Sequence, residues 1–457
     1  MFEQLQSEMS GKVVLPGHPN YEETRAIFNA AVKKQPAAIA VCKDERDVSK
    51  AVKFANEHAM QISVRGGGHH VSGTSLTEGG LLIDLSEMRH VTVDEESKTA
   101  KVGGGALLSD VDAETQKFGL ATPTGTVSET GIGGLALAGG LGYLRAKYGL
   151  SCDNISAAKV VTADGSVLEV SENEYSDLFW AIRGGGGNFG VVTEFEFRLH
   201  DVGPNVLALD VMYDLKDADQ IYQQLDQFVE TAPDEISLNV TVMDLPPLPE
   251  LPEFLHFKPV MIVAGMYAGE VEEGKRVIQP LRELAVPIAD QSGVVPYTQL
   301  QSKLDAMVPK QANFKGSSLF FSELSPENWQ SILKEKEIAP GHLMLQLWET
   351  HGKMNRIPAD DNAFAIRDAR YVLLLDIMYE DEQEEACAKW IEAFYEKFSP
   401  ISFNGAAYLN GIDPEDHVIR KTYADNYEQL LELKQKYDPH NVFRMNHNIR
   451  PSSVHSK

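Results

Sequence analysis

Residues 65–70 read Arg-Gly-Gly-Gly-His-His, directly after the short apolar run Ile-Ser-Val at residues 62–64. Glycine lets the backbone approach a ligand closely and adopt positive φ at little steric cost. Successive backbone N–H groups in such a turn form a concave site for anions, typically phosphate. Two imidazoles, His69 and His70, follow at once. This stretch therefore predicts a phosphate-binding turn beside a nitrogen nucleophile, which indicates a bound cofactor.

Two other interpretations of the stretch remain open. A Rossmann dinucleotide turn has the pattern Gly-x-Gly-x-x-Gly between a strand and a helix. Here Val71 stands where the third glycine belongs, and residues 71–80 are poor helix formers, so the pattern argues against that turn. A purely structural glycine turn also fits the segment when it is taken alone.

The composition is that of an ordinary globular protein. The chain has 457 residues, of which 43% are hydrophobic and 24% charged, enough for two or three domains. Its 67 acidic and 41 basic residues give a formal net charge of −26. Such a surface repels phosphate backbones and anionic membranes, so we expect neither nucleic acid nor a membrane as a partner.

The N-terminal residues and the cysteines bear on compartment and metal binding. Residues 1–20 lack the basic region and apolar run of a secretory signal, and no apolar run reaches the 18 or so residues that span a membrane. Cys42, Cys152 and Cys387 are odd in number and far apart, which favours neither a disulfide framework nor a zinc site. We expect a cytoplasmic protein without a metal centre.

Hydrophobic periodicity predicts short alternating helices and strands over the first two hundred residues. The expected elements are a helix over 45–60 capped by Asp44, a strand over 81–85, a hairpin over 91–102, a helix over 109–118, a hairpin over 158–170 and a strand over 191–199. From about residue 205 to 400 the pattern changes to longer strands and amphipathic helices with few glycines. A further helix is predicted over 418–437.

Two more glycine-rich regions follow the first. One covers residues 125–134 and 139–142, and the other covers residues 183–192. Several such turns beside predicted elements imply a long polar ligand that lies against the backbone at several points. FAD fits, with its pyrophosphate, ribityl chain and planar ring. Its pyrophosphate needs backbone N–H donors, because the field of so acidic a protein is unfavourable to it.

Motifs along nearly the whole chain resemble the berberine-bridge-enzyme-like FAD oxidases. The matching segments are residues 64–69, 125–134, 148–155, 177–190, 408–410, 437–444 and 447–449. The resemblance implies an α+β fold unrelated to Rossmann: a PCMH-type (vanillyl-alcohol-oxidase-type) FAD-binding domain plus a substrate domain with a seven-stranded antiparallel sheet backed by helices. We expect the FAD-binding domain over residues 1–203, the substrate domain over 204–405, and a C-terminal segment over 406–457 that returns to the first domain.

The resemblance also implies covalent FAD, bonded from His69 to the 8α-methyl group. A neutral imidazole is a competent nucleophile near neutral pH, although His69 could instead only hydrogen-bond the cofactor. Many relatives make a second attachment through a cysteine where this chain has Val127, and Cys152 lies too far along the motif to replace it. Single attachment is therefore expected, as in the bacterial 6-hydroxy-nicotine oxidase branch.

By resemblance, the reaction is a two-electron oxidation of a small-molecule substrate. Hydride passes from a CH–OH or CH–NH group of a sugar, secondary alcohol or amine to the flavin, and dioxygen reoxidises the flavin to give hydrogen peroxide. Two alternatives stay open: a dehydrogenase with another electron acceptor, and a structural or coat-associated flavoprotein with decayed activity. The second is kept because Gly411 replaces a second tyrosine and residues 365–367 lack the usual Pro-His.

Three residues are candidates for the catalytic side of the site. Tyr408 matches the family's Tyr-x-Asn tyrosine, a base that needs help because a phenol has a pKa near 10; the alternative is a tyrosine that only packs. Residues 341–351 alternate, so their leucines should face the helices and the opposite face should present Gln346 and Trp348 to the flavin. Glu349 falls on the leucine side and is set aside.

The glycine clusters and the resemblance together give a set of cofactor-binding candidates. Thr130 among them occupies the position thought to gate oxygen beside the ring. The set is Arg65, Gly66, Gly67, Gly68, His69, His70, Gly125, Thr126, Thr130, Gly131, Gly133, Gly134, Gly139, Gly140, Asn154, Ile155, Gly190, Val192, Asn446 and Asn448.

Overall fold

The computed structural model describes residues 1–247, 252–412 and 416–452. Its strands are β1 Lys12–Val14, β2 Ala38–Val41, β3 Ile62–Arg65, β4 Leu81–Asp84, β5 Val91–Asp94, β6 Thr99–Gly103, β7 Leu120–Ala121, β8 Ile155–Val161, β9 Val167–Ser171, β10 Val191–Arg198, β11 His200–Asp201, β12 Asn205–Asp214, β13 Ile236–Asp244, β14 Pro259–Tyr267, β15 Pro287–Asp290, β16 Gly293–Pro296, β17 Asn313–Phe321, β18 His342–Glu349 and β19 Tyr371–Tyr379.

Helices connect and cover these strands. They are α1 Phe2–Glu8, α2 Tyr21–Arg25, α3 Glu45–Glu57, α4 Leu108–Thr115, α5 Ile132–Leu137, α6 Arg145–Tyr148, α7 Ser176–Ile182, α8 Ala218–Val229, α9 Val271–Ile278, α10 Tyr297–Gln301, α11 Pro326–Glu337, α12 Lys353–Arg356, α13 Glu384–Phe398, α14 Asp416–Tyr423 and α15 Tyr427–Tyr437. None of the described helices is both long enough and apolar enough to span a bilayer. The mixture of helices and largely antiparallel sheets confirms the α+β class.

The first sheet has the order β1-β2-β4-β3, in which β2 and β3 both run parallel to β4. Helix α3 forms the crossover from β2 to β3, and Asp44 caps it by accepting hydrogen bonds from the N–H groups of Arg46 and Asp47. A loop rather than a helix follows β3, because residues 71–80 lack a helical pattern. The Rossmann alternative is therefore wrong.

The second sheet is antiparallel, in the order β5-β6-β10-β8-β9. It contains the two predicted hairpins, β5–β6 and β8–β9, and the predicted strand β10 lies between them. Glycine-rich segments leave the ends of these elements, so the two small sheets carry the loops that build the site.

The large sheet has the order β15-β12-β14-β13-β18-β19-β17, and β16 also pairs with β12. Its eight strands differ from the expected seven, because β15 and β16 are short and share one edge of the long strand β12. Helices α8, α11 and α13 bury their apolar side chains against one face. The opposite face is left for the site, as predicted.

The C-terminal helices pack against the first half of the chain. Val418, Tyr427 and Leu430 share an apolar core with Phe179 of α7. The single helix expected over 418–437 is instead two helices, α14 and α15, separated by a 3₁₀ turn. Asn426 explains the break, because its amide donates hydrogen bonds to the carbonyls of Ala359 and Asn362 and fixes the turn there.

Candidate active site

Glycine-rich segments from three distant parts of the sequence line one cavity. Residues 66–68, 125–134 and 186–190 all contribute to its wall. The convergence favours the ligand-binding interpretation of the first glycine turn over the purely structural one.

Two of these segments touch each other through glycines. A Cβ atom built on Gly67 would lie 2.3 Å from the backbone nitrogen of Gly131, and one on Gly131 would lie 2.2 Å from the nitrogen of Gly67. Neither position has room for a side chain, because the neighbour is backbone and cannot turn away. A Cβ on Gly134, in contrast, meets nothing within 4 Å. Gly67 and Gly131 hold their two loops together, and Gly134 leaves space beside the cavity.

His69 lies on the cavity wall with its ring stacked on Phe28. The ring centroids are 4.0 Å apart and the planes differ by 18°. Burial lowers the pKa of His69 to about 4, because removing an imidazolium from water disfavours the charged form. His69 is therefore neutral at pH 7, which is the state that a nitrogen nucleophile requires.

Two other histidines hold the segment that carries Tyr408. His70 Nε2 and His447 Nε2 lie 3.0 Å and 2.7 Å from the carbonyl oxygen of Leu409. Burial lowers the pKa of His447 to about 3, so it donates to that carbonyl as a neutral ring. The histidine after the first glycine turn thus fixes a backbone group nearly 340 residues away.

The hydroxyl oxygen of Tyr408 accepts three hydrogen bonds. They come from the backbone N–H groups of Gly140 at 3.1 Å and Leu141 at 2.9 Å, and from Asn410 Nδ2 at 2.9 Å. Burial raises the pKa of Tyr408, and these three donors oppose the rise. Donors aimed at an oxygen stabilise its anionic form, so Tyr408 has the support that a phenolate base needs.

The large sheet supplies the opposite wall. Met344, Gln346 and Trp348 of β18 line the cavity, while the intervening leucines lie in the core beneath the helices, as the alternation predicts. Trp348 Nε1 donates to Gln346 Oε1 at 3.1 Å, which leaves the Gln346 amide N–H group for a ligand. Glu349 lies behind the wall, as predicted, in a buried ion pair with Arg145.

Sequence reasoning missed Asp376. Its strand, β19, reads Tyr-Val-Leu-Leu-Leu-Asp-Ile-Met-Tyr, so Asp376 is the one charged residue in an otherwise apolar or aromatic run. It lines the cavity beside Met344, its partner in the register. A lone carboxylate in such a strand is a signal that the sequence does contain.

Unpartnered polar atoms at the cavity test the fit of FAD. Among the described residues, Ser63 Oγ, Ser75 Oγ and Asn446 Oδ1 are buried with no hydrogen-bond partner, and all three residues border the cavity. Buried polar atoms are normally hydrogen-bonded, so these await a polar ligand. Together with the glycine turns they fit an extended cofactor such as FAD.

Six of the predicted cofactor residues lie outside the cavity wall. Arg65 supports the first turn from behind through a buried ion pair with Asp84, 2.7 Å long. The Asn154 amide donates to the carbonyls of Tyr148 and Leu150, and Ile155 lies in the core. Direct cofactor contacts for these residues stay a prediction, as they do for the remaining three, Gly139, Gly140 and Asn448.

Comparison with known proteins identifies the family. Residues 36–171 match the model of an FAD binding domain, and residues 407–450 match the "Berberine and berberine like" model. An FAD-linked oxidoreductase of Dictyostelium discoideum is 32% identical over 450 residues, which cover 97% of this chain and 95% of that protein. The chain belongs to the berberine-bridge-enzyme-like FAD-linked oxidoreductases. The two family models coincide with the first two glycine-rich regions and with the segment that carries Tyr408 and His447.

Two other relatives of this chain are similar to it over most of their length. The crystal structure of 6-hydroxy-D-nicotine oxidase from Arthrobacter nicotinovorans superposes with a TM-score of 0.85 at 30% identity, covering 96% of this chain and 98% of that one. Glucooligosaccharide oxidase of Sarocladium strictum is 29% identical over 91% of this chain and 87% of that protein. The enzyme is thus an FAD-binding oxidoreductase close to the bacterial nicotine oxidase branch.

Proposed function

We propose that this enzyme is an oxidase whose FAD is attached covalently, through His69 alone. Bound FAD would supply the redox chemistry: hydride acceptance from a CH–OH or CH–NH group of a sugar, secondary alcohol or amine, with dioxygen as the final acceptor and hydrogen peroxide as the product. One observation carries the proposal. A neutral His69 and three glycine-rich segments form one side of a cavity, and Gln346, Trp348 and Tyr408 line it as well.

The protein's own residues hold the cofactor and handle the substrate proton. The N–H groups of the glycine turns would hold the pyrophosphate, and Ser63, Ser75 and Asn446 would bind polar edges. Tyr408, with three donors on its oxygen, would accept the substrate's O–H or N–H proton. Gln346 would orient the substrate with its remaining N–H group. Val127, at the position of a second tether, cannot form one.

The attachment is tested by acid precipitation of the purified enzyme. We expect a yellow, fluorescent pellet from the wild type and a colourless pellet with yellow supernatant from His69→Ala. His70→Ala is the matched control, because the adjacent imidazole holds Leu409 and its loss should leave flavin in the pellet. A wild-type pellet without flavin contradicts covalent attachment, and a colourless preparation that takes up no flavin contradicts the proposal altogether.

Oxidase and dehydrogenase are separated by the fate of the reduced flavin. We expect dioxygen to reoxidise it rapidly in a stopped-flow experiment, with one hydrogen peroxide formed per flavin. Slow reoxidation by dioxygen but rapid reoxidation by a quinone or dye identifies a dehydrogenase instead. If no sugar, alcohol or amine reduces the flavin, the decayed flavoprotein is the better interpretation.

A further inference from the structure

The cavity wall contains one carboxylate, that of Asp376, and no lysine or arginine among the residues that the structure describes. Two histidines on the wall or against it, His69 and His447, have pKa values lowered by burial to about 4 and about 3 and are uncharged at neutral pH. The one charged side chain that the described wall carries is therefore negative, which favours a positive ligand group at Asp376 itself.

Strand register fixes the direction in which Asp376 points. Asp376 pairs with Met344 on β18 and with Gly316 on β17, and paired residues share a face of the sheet. That face is the cavity face, since Met344 lies on it two positions from Gln346. Lys315, the cation next in sequence to Gly316, points to the other face and pairs with Glu384 at 3.5 Å.

Asp376 has no hydrogen bond or ion pair with any of the described residues. Burial alone raises the pKa of its carboxyl group to about 6. Asp376 is half-buried, so its carboxylate lies partly desolvated at the cavity surface. A charge in such a place is stabilised by a partner of opposite sign, which a positive ligand group would supply.

The immediate neighbours of Asp376 suit an ammonium group. Gly316, opposite Asp376, has no side chain. A Cβ atom built on Gly316 would lie 2.2 Å from the carbonyl oxygen of Gly411, so that oxygen lies close to this point of the sheet. Phe314, diagonal to Asp376 in the register, stacks on Phe28 at 4.7 Å. Carboxylate and carbonyl oxygens accept ammonium N–H bonds, and an aromatic ring attracts a cation.

We propose that Asp376 anchors a protonated amine of the substrate; this inference rests on the proposed function. The substrates of this oxidoreductase are then cationic amines rather than neutral sugars or acids. Asp376 lies two residues along β19 from Leu374, the partner of Gln346. Because a strand rises about 3.3 Å per residue, the ammonium group lies roughly 7 Å along the sheet from the substrate group beside Gln346.

Calorimetric titration of the purified holoenzyme with charged and neutral probes tests this assignment. The probes are α,α-dimethylbenzylammonium, which has N–H groups but no α C–H bond to oxidise, its uncharged carbon isostere tert-butylbenzene, and benzoate. At pH 8 we expect the cation to bind at least tenfold more tightly than the isostere, and benzoate to bind more weakly still. The same titrations followed by flavin absorbance report whether the probe enters the flavin-containing cavity.

Titrations of Asp376 variants provide the decisive comparison. Asp376→Asn should remove the preference for the cation and change the affinity for the isostere less than twofold, whereas Asp376→Glu should keep much of the preference. Asp368→Asn is the matched control, because Asp368 is exposed and lies off the wall. Unchanged cation affinity in a folded Asp376→Asn protein overturns the assignment.

The wild type offers a second test that needs no variant. The cation preference should fall as the pH is lowered from 8 to 5, because Asp376 becomes protonated with a pKa of about 6. The other titratable groups at the cavity are His69, His70, His447 and Tyr408. Protonation of a histidine there would weaken cation binding too, so the same pH series on Asp376→Asn must be flat. A pH-independent wild-type preference overturns the assignment.

Failure of this inference can be told from failure of the proposed function. Calorimetry measures cation binding whether or not the flavin is reduced, and the flavin spectrum reports the cofactor independently. A yellow enzyme that neutral alcohols reduce, with no preference for the cation, refutes only the role of Asp376. A colourless protein refutes the flavin oxidase and leaves the cation titration to be judged by itself.

Discussion

The two walls of the cavity are built in opposite ways. The glycine wall consists mainly of backbone, and its key contact is Gly67 against Gly131, where neither position has room for a Cβ. The sheet wall consists of side chains from β18 and β19 that alternate with buried leucines. A backbone wall suits a cofactor that never changes, whereas a side-chain wall can be altered one residue at a time to suit a substrate.

The largest effect is expected where a side chain is forced into the glycine wall. Gly67→Ala places a methyl group 2.3 Å from the backbone nitrogen of Gly131, so the two loops must separate. Overpacking of this kind costs about 1–3 kcal/mol, and here it also opens the cofactor cradle. We expect the purified variant to contain almost no flavin and to unfold at a clearly lower temperature.

Gly293→Ala, in β16 and off the cavity wall, is the matched control for that experiment. The new methyl group meets no protein atom within 4 Å, and Gly293 does not have the positive φ that an alanine would resist. Its melting temperature should equal or exceed that of the wild type. If Gly67→Ala keeps wild-type flavin content and melting temperature, the loops do not depend on backbone contact.

The next largest effect is expected at Tyr408, which stands between the two walls. Tyr408→Phe removes the proposed base and should slow flavin reduction by about 10²–10⁴-fold with flavin content retained. Because burial raises the pKa of Tyr408, the wild-type rate should increase with pH into the alkaline range, and the variant's rate should not. Tyr21→Phe, a buried phenol away from the cavity, is the control.

The variant Asn410→Leu distinguishes two roles for Tyr408: a base, or a tyrosine that only packs. It deletes one of three donors to the Tyr408 oxygen and keeps the phenol. Loss of a donor destabilises the phenolate, so the alkaline limb of the rate should move to higher pH. A pH profile that is unchanged in Asn410→Leu and a normal rate in Tyr408→Phe would together assign Tyr408 to packing.

A smaller effect, on stability, is expected from the lone carboxylate of the sheet wall. The pKa of Asp376 is raised from 3.8 to about 6 in the folded state, so the folded protein binds the proton more tightly. The contribution of Asp376 to the free energy of unfolding is therefore greatest below pH 4 and falls as the pH rises through about 6. Asp376→Asn should stabilise the ligand-free protein by about 1–3 kcal/mol at pH 8 and have almost no effect at pH 4.

Urea denaturation at the two pH values measures that difference. Asp368→Asn, an exposed site, should show no gain at either pH. Equal stability of wild type and Asp376→Asn at pH 8 would mean that water or an ion already solvates the carboxylate.

The two walls also differ in how far the sequence predicts them. Each segment of the glycine wall is contiguous in sequence, so residues 65–70 and 125–134 could be recognised directly. The alternation of leucines with other residues along β18 predicted that Gln346 and Trp348 face the cavity, because the sequence of one strand is enough to define its two faces. The sequence did not reveal the stacking of Phe28 on His69, the three donors on Tyr408 or the neighbourhood of Asp376, because each depends on strands and loops far apart in the chain. The break between α14 and α15 was missed for the same reason, since tertiary bonds to Asn426 decide it.

The smallest effect is expected from a shape-preserving change on the glycine wall. Thr130→Val replaces a hydroxyl by a methyl group on a wall that binds through backbone atoms. Flavin content and the rate of flavin reduction should change by less than about twofold, in keeping with roughly 0.5 kcal/mol. The reoxidation rate with dioxygen is the one quantity that can respond, because Thr130 is the expected oxygen gate. Gln346→Leu, an equally modest change on the sheet wall, should leave flavin content alone and slow reduction by substrate. If Thr130→Val instead loses flavin, side chains as well as backbone hold the cofactor, and the contrast between the walls is weaker than their geometry indicates.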